Sequence, residues 1–222
     1  MTVHRPSAQQ YDRSTALLVV DVQNDFADPA GSLYVSGGEQ IPAIVNAEIA
    51  AAVDAGSLVV HTQDWHPTQT PHFERDGGVW PVHCVAGTWG AELHPELRVA
   101  GPRVQKGTGG EDGYSGFTIQ DPRTGERHAT GLEELLRERG IATVVIVGLA
   151  TDYCVKETAL DAVAKGFQTF VLRRGIRAVD LAQGDGDRAI RQMSHAGVQI
   201  EPAALPVLPR DRVLPEPAPG PA

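Results

Sequence analysis

The sequence predicts an α/β domain: a three-layer α-β-α arrangement around a mostly parallel, doubly wound sheet of about six strands. Three observations predict it. Short apolar runs of strand length alternate along the chain with segments whose apolar residues recur at helical spacing. The apolar runs show no polar alternation, which marks strands covered on both faces. A chain of 222 residues with 41% apolar content is long enough to bury one such core.

Taken in order, residues 1–13 form a polar lead-in and 14–201 the expected domain. Thr15–Val20 (TALLVV) is the first strand, ended by Asp21. Across 40–54, Ile41, Ile44, Val45, Ile49 and Val53 recur with helical period, and Gly56 closes that helix. Residues 57–62 (SLVVHT) form a second strand. Residues 63–97 hold His, Trp, Pro and Gly without any period; so long an irregular segment inside a domain is a functional loop or disordered, and its aromatic content opposes disorder. Residues 103–106 form a short third strand, followed by a Gly-rich stretch over 107–117. Residues 131–139 form a short helix ended by Gly140. Val144 to Val147 is a buried strand ended by Gly148, and the next helix carries Val155, Ala159, Leu160 and Val163 on one face. A strand over 167–172, a helix over 184–195 and a last short strand over 198–200 complete the domain. Residues 202–222 hold seven of the chain's 16 prolines and read as an extended tail.

Charge and composition exclude several classes of function. The formal net charge of −9 opposes nucleic acid or an anionic membrane surface as a partner. No apolar run approaches the roughly 18 residues that span a bilayer, and the N-terminus shows no apolar signal region. Two cysteines, Cys84 and Cys154, make no disulfide framework. A reduced, cytoplasmic setting is therefore expected, and a homo-oligomer is left open.

In a doubly wound sheet, ligands bind beyond the carboxyl ends of the strands. Asp21 ends the first strand, Asp64 and His66 follow the second, Lys106 ends the third and Cys154 follows the fourth. Residues distant in sequence are thus expected at one sheet edge. Cys154 sits where a loop becomes a helix, and the positive end of the helix dipole is expected to lower its pKa toward the reactive thiolate. Asp21 is placed to take the thiol proton and Lys106 to hold that carboxylate; taken alone, these two also suit a structural ion pair. A second group, Asp64, His66, His72 and His83, combines imidazoles with a carboxylate, a donor set that suits zinc, ferrous iron or manganese. His61 and His94 read as structural, and Cys84 as a buried spacer. Phe26, Trp65, Trp80, Trp89, Tyr114 and Tyr153 fall in the loops facing this edge. Trp65 and Trp89 read as loop anchors, whereas Phe26 and Trp80 suit the two walls of a slot for a flat ring.

Several motifs, Asp21-Val-Gln-Asn-Asp-Phe26, Gln63-Asp-Trp-His66, Pro71-His-Phe73, Trp80-Pro-Val-His-Cys84, Gln105-Lys-Gly107, Tyr114-Ser-Gly-Phe117 and Gly148-Leu-Ala-Thr-Asp-Tyr-Cys154, occur in one order. Together they resemble the nicotinamidase/pyrazinamidase branch of the isochorismatase-like cysteine hydrolases. The resemblance spans roughly residues 15–200. It implies a six-stranded parallel sheet and hydrolysis of nicotinamide to nicotinate and ammonia, a step of NAD salvage. It implies Asp21 as general base, Lys106 as orienting cation and Cys154 as the nucleophile that forms a thioester. It also implies a cis peptide before Ala150, with the N–H groups of Ala150 and Cys154 as the oxyanion hole. Asp64, His66 and His83 match metal ligands, and His72 matches a fourth used by some members. One divalent ion is implied, zinc first, with iron or manganese as alternatives. Phe26 and Trp80 would sandwich the ring, with Tyr114 and Tyr153 completing the substrate pocket. Tyr153 replaces the His many members carry before the Cys, and the proline-rich tail lies outside the family pattern. Two other readings are open: an amidase of the same superfamily acting on another small amide or carbamoyl compound, and an inactive small-molecule binding module.

Overall fold

In the computed structural model, residues 11–201 are described; most of the lead-in and the whole proline-rich tail lie outside them. The first half runs β1 (Thr15–Val20), α1 (Asn24–Ala27), α2 (Ile41–Asp54), β2 (Leu58–Asp64) and β3 (Arg103–Lys106). A hairpin of β4 (Thr118–Gln120) and β5 (Arg127–Ala129) follows. The second half runs α3 (Leu132–Glu138), β6 (Thr143–Leu149), α4 (Lys156–Ala164), β7 (Gln168–Arg177), α5 (Asp185–His195) and β8 (Gln199–Glu201).

Six strands form one sheet in the order β3-β2-β1-β6-β7-β8, and every neighbouring pair is parallel. The strand order reverses between β1 and β6, the switch point at which such sheets open a crevice. β1 is buried at all six positions because both of its faces are covered. Leu17 and Val19 enter one core with Ile41, Val45 and Ile49 of α2. Ala16, Leu18 and Val20 enter the other with Leu132 and Leu136 of α3, Ala159 of α4 and Met193 of α5. The three-layer, doubly wound expectation therefore holds, with a sheet that is wholly parallel.

Four local expectations need correction. β2 continues through Gln63 and Asp64 rather than ending at Thr62, because Asp64 pairs in register with Lys106 of β3. β6 continues through Gly148 to Leu149. Gly148, at φ 118°, passes so close to β1 that a Cβ would lie 2.0 Å from the Val20 carbonyl oxygen; glycine permits this approach rather than ending the strand. β7 extends to Arg177, slipping register against β6 between Ile146 and Gly148. In α4 the buried residues are Thr158, Ala159 and Ala162, whereas Leu160 and Val163 are half-buried. A reading restricted to apolar residues passes over Thr158, whose hydroxyl is buried because it accepts the Gly116 N–H at 2.9 Å. The β4–β5 hairpin and the one-turn α1 were also not anticipated. Both are too short to show a period.

The irregular segment 63–97 is ordered by isolated bridges, His66 with Val85 and Phe73 with Trp80, and by single 3₁₀ turns. Trp65 packs against the α2-side core as an anchor. Trp89 does not: its side chain is 51% exposed, and the segment is held instead by its carbonyl, which accepts from Asn24 Nδ2 at 2.7 Å. No helix among the described residues is long and apolar enough to cross a membrane.

His61, within β2, is fully buried, and its Nε2 accepts the Ala100 N–H at 3.1 Å. Burial lowers its pKa to about 4 from 6.5. The unfolded chain therefore takes up this proton before the folded one does. The stabilisation is complete above about pH 6.5 and is lost as pH falls toward 4, amounting to about 3 kcal/mol. Urea unfolding across this pH window will show that loss, and His61→Gln will make it smaller by the share that His61 contributes.

Candidate active site

Strand register and strand ends bring the site together. Asp21 follows β1 at φ 47°, a left-handed conformation that Asp tolerates better than most residues. Asp64 and Lys106 face each other as the terminal pair of β2 and β3. Cys154 lies in a wide π-type turn, Thr151–Val155, closed by the Val155 N–H donating to the Ala150 carbonyl at 3.1 Å. The peptide between Leu149 and Ala150 is cis.

Lys106 is the hub of this edge. Its ammonium is 3.0 Å from Asp21 Oδ2, donates to Asp64 Oδ1 and to the Gly113 carbonyl at 3.0 Å, and lies 3.7 Å from Cys154 Sγ. Asp21 and Lys106 side chains are fully buried. A lysine here stays charged because both carboxylates and the sulfur raise its pKa, outweighing the burial that lowers it. Burial raises Asp21, and the neighbouring Asp64 adds to this against the pull of Lys106. Burial would also raise Asp64, but Lys106 and the imidazoles of His66 and His83 outweigh it and hold that carboxyl below its usual range.

For Cys154 the expectation from the helix dipole is overturned. Burial pushes its thiol well up, Asp21 and Asp64 push it further, and Lys106 opposes them. The sulfur is screened from water, and α4 begins two residues later, at Lys156. The resting group is a thiol beside a carboxylate, so a thiolate has to be generated by transferring its proton.

The second cluster adjoins the first. His66, His72 and His83 are buried, and each offers a nitrogen within 4.8 Å of the others'. Their ring centroids lie 4.7 to 5.3 Å apart. Asp64 Oδ2 is 4.0 Å from His66 Nε2, so one carboxylate touches both clusters. Among the described residues, neither ring nitrogen of His66 has a hydrogen-bond partner, a state that is costly for a buried polar atom unless something else binds it. His83 Nδ1 is 2.7 Å from the Pro81 carbonyl and His72 Nδ1 is 2.5 Å from Asp112 Oδ1. Burial lowers the pKa of His83, and that of His66 to about 3, which keeps these rings neutral. Three buried imidazoles beside a carboxylate, two of them engaged from behind at Nδ1, are a donor set that fits a divalent metal ion. The 107–117 loop is shaped around it: Gly107, at φ 74°, passes so close that a Cβ would lie 2.6 Å from the His66 ring.

Both clusters open into one cavity, lined by Phe26, Trp80, Tyr114, Ala150, Tyr153 and Cys154 together with Asp64 and the three imidazoles. Trp80, Tyr114 and Tyr153 form an aromatic wall. Trp80 and Tyr153 meet edge to face at 4.9 Å, and Trp80 Nε1 donates to Tyr114 Oη at 2.9 Å. Phe26 lies against His83 with centroids 5.5 Å apart.

A family model for the isochorismatase domain matches residues 15–204. The chain belongs to the isochorismatase family. Among curated members, a nicotinamidase of Acinetobacter baylyi is 39% identical over 203 residues, which cover 83% of this chain and 90% of that protein. A pyrazinamidase of Pyrococcus horikoshii, solved in complex with zinc, is 38% identical with a TM-score of 0.76 and covers 85% of this chain and 98% of its own. A structure from L. infantum in complex with nicotinate is 34% identical with a TM-score of 0.79 and covers 86% of this chain and 94% of its own.

This isochorismatase-family site also uses residues beyond the expected triad, metal ligands and pocket walls. Thr62 donates to Asp21 Oδ1 at 2.6 Å and accepts the Asp21 N–H at 3.2 Å. Gln23 receives the Asp64 N–H at 2.8 Å and donates to the Asp64 and Ala91 carbonyls. Asp25 Oδ2 accepts the N–H of Cys84, which is the buried spacer expected. Thr62 lies two residues before Asp64 on the same strand face, a signal available in the sequence. Asp112 behind His72 has no such signal.

Removing the Lys106 charge leaves two carboxylates buried against each other. Lys106→Met will lower the unfolding free energy by about 3–5 kcal/mol in urea titrations, far more than loss of the exposed Arg173–Asp187 pair.

Proposed function

We propose that this chain is a metal-dependent amidohydrolase that converts nicotinamide to nicotinate and ammonia, a cytoplasmic enzyme of NAD salvage. One observation carries the reading: the Lys106 ammonium touches Asp21, Asp64 and Cys154 at once, so a nucleophile, a base and a metal-type donor cluster share one cavity. The nicotinamidase and pyrazinamidase relatives support the same substrate class.

In this mechanism Asp21 takes the proton from Cys154 Sγ as the sulfur attacks the carboxamide carbon. The carbonyl oxygen gains charge and is received by the N–H groups of Ala150 and Cys154, donors that need no reorganisation at the moment of reaction. The C–N bond breaks as the proton on Asp21 passes to the departing nitrogen. Ammonia leaves and a thioester remains. Asp21, again a carboxylate, takes a proton from water, which attacks the thioester; collapse releases nicotinate and returns the proton to the sulfur. Lys106 holds Asp21 in place throughout and favours its carboxylate form each time it has to accept a proton, and Thr62 orients its second oxygen. Phe26 and Trp80 flank the pyridine ring, and Tyr114 and Tyr153 close the pocket. Asp64, His66, His72 and His83 would hold the ion, zinc first, and when bound it supplies a Lewis-acidic contact for the ring nitrogen or a water.

Ammonia release from nicotinamide by metal-replete protein tests the reading. Cys154→Ala will lower the rate by roughly 10⁴- to 10⁶-fold; equal release by wild type and variant would sink it. The base must be ionised, and burial raises Asp21 above its usual 3.8. The kcat/KM profile will therefore fall in acid along a limb displaced above pH 3.8, and a rate that stays flat down to about pH 4 opposes the role of Asp21.

A further inference from the structure

We infer that Asp112 is a positioning residue for His72: it holds that imidazole from behind so that its other nitrogen faces the His66–His83 cluster as a donor to a divalent cation. The inference rests on the proposed function's reading that this cluster binds a metal ion. Asp112 Oδ1 lies 2.5 Å from His72 Nδ1. A carboxylate at that distance keeps the ring proton on Nδ1 and leaves the lone pair on Nε2, the tautomer that a metal ligand needs. The His72 ring is itself stacked on His66, with centroids 4.7 Å apart.

A solvated surface pair would be the simpler reading of this contact, since the Asp112 side chain is 41% exposed. Three observations favour positioning. The histidine side chain is only 7% exposed, so the carboxylate reaches inward to a buried ring. His83 shows the same design, with its Nδ1 engaged by a carbonyl. The Asp112 backbone is also fixed: it exchanges two hydrogen bonds with Gln120 at the end of β4, at 2.8 and 2.6 Å. That bridge gives the small exposed hairpin a purpose, since it anchors the residue that orients His72. Asp112 lies 40 residues from His72 in sequence, in the Gly-rich stretch, and nothing in its surroundings marks it.

The test is a Zn²⁺ titration of metal-stripped full-length protein in competition with a chromogenic chelator. Asp112→Ala will weaken binding about 10- to 100-fold, the usual effect of losing a partner that orients a ligand. Asp112→Asn, which keeps an acceptor oxygen, will recover most of the affinity. His72→Ala combined with Asp112→Ala will bind no more weakly than His72→Ala alone, because the carboxylate acts only through that ring. Wild-type affinity in Asp112→Ala, or losses that multiply in the double variant, would overturn the inference while leaving the metal reading intact. Failure of the wild-type protein to bind Zn²⁺ would overturn both.

Discussion

A single buried ammonium holds this site together. Asp21, Asp64 and Cys154 are contributed by different strand ends, and two of them are carboxylates inside the protein. Without a cation between them, their mutual repulsion and lost hydration would force protonation or separate the strands. With Lys106 in place, the same carboxylates keep the lysine charged, and the lysine in turn favours the ionised form of each carboxylate. The terminal pairing of β2 with β3 makes this geometry repeatable, because it sets Asp64 opposite Lys106 by backbone register.

Asp64 is where two chemistries meet. One oxygen faces Lys106 and the other faces His66. A change in charge on either side is therefore felt on the other through one side chain. Gln23 clamps the backbone at this residue from both directions, accepting its N–H and donating to its carbonyl. The carboxylate cannot swing without breaking bonds that are themselves buried, and such satisfied polar networks are rigid.

Much of this was legible in the chain. Unbroken apolar runs such as Thr15–Val20 announce strands covered on both faces, and polar residues just beyond them announce a site at the carboxyl edge. What was not legible depends on contacts between distant segments. Cys154 occupies a position where a helix dipole argues for a thiolate, yet burial and two carboxylates dominate, and neither can be read from its neighbours in sequence. Thr158 reads as polar but is buried through one hydrogen bond to Gly116. Trp89 reads as an anchor, yet its backbone carbonyl does the anchoring. The hairpin of β4 and β5 is too short and too polar to leave a periodic signature.

The placement of β1 beside β6 has a consequence for how the protein is made. During synthesis, β1 and β2 are available early, but the second edge of β1 pairs with β6, which emerges only after the 63–97 segment, β3, the hairpin and α3. Until then an apolar strand has one row of backbone groups without a partner, the situation that invites pairing with other chains. The strand that closes this edge leads directly into the turn carrying Cys154. Closing the second edge of β1 and bringing the sulfur to Lys106 are thus one event, and a nascent chain that stops short of it carries an open edge and no reactive centre.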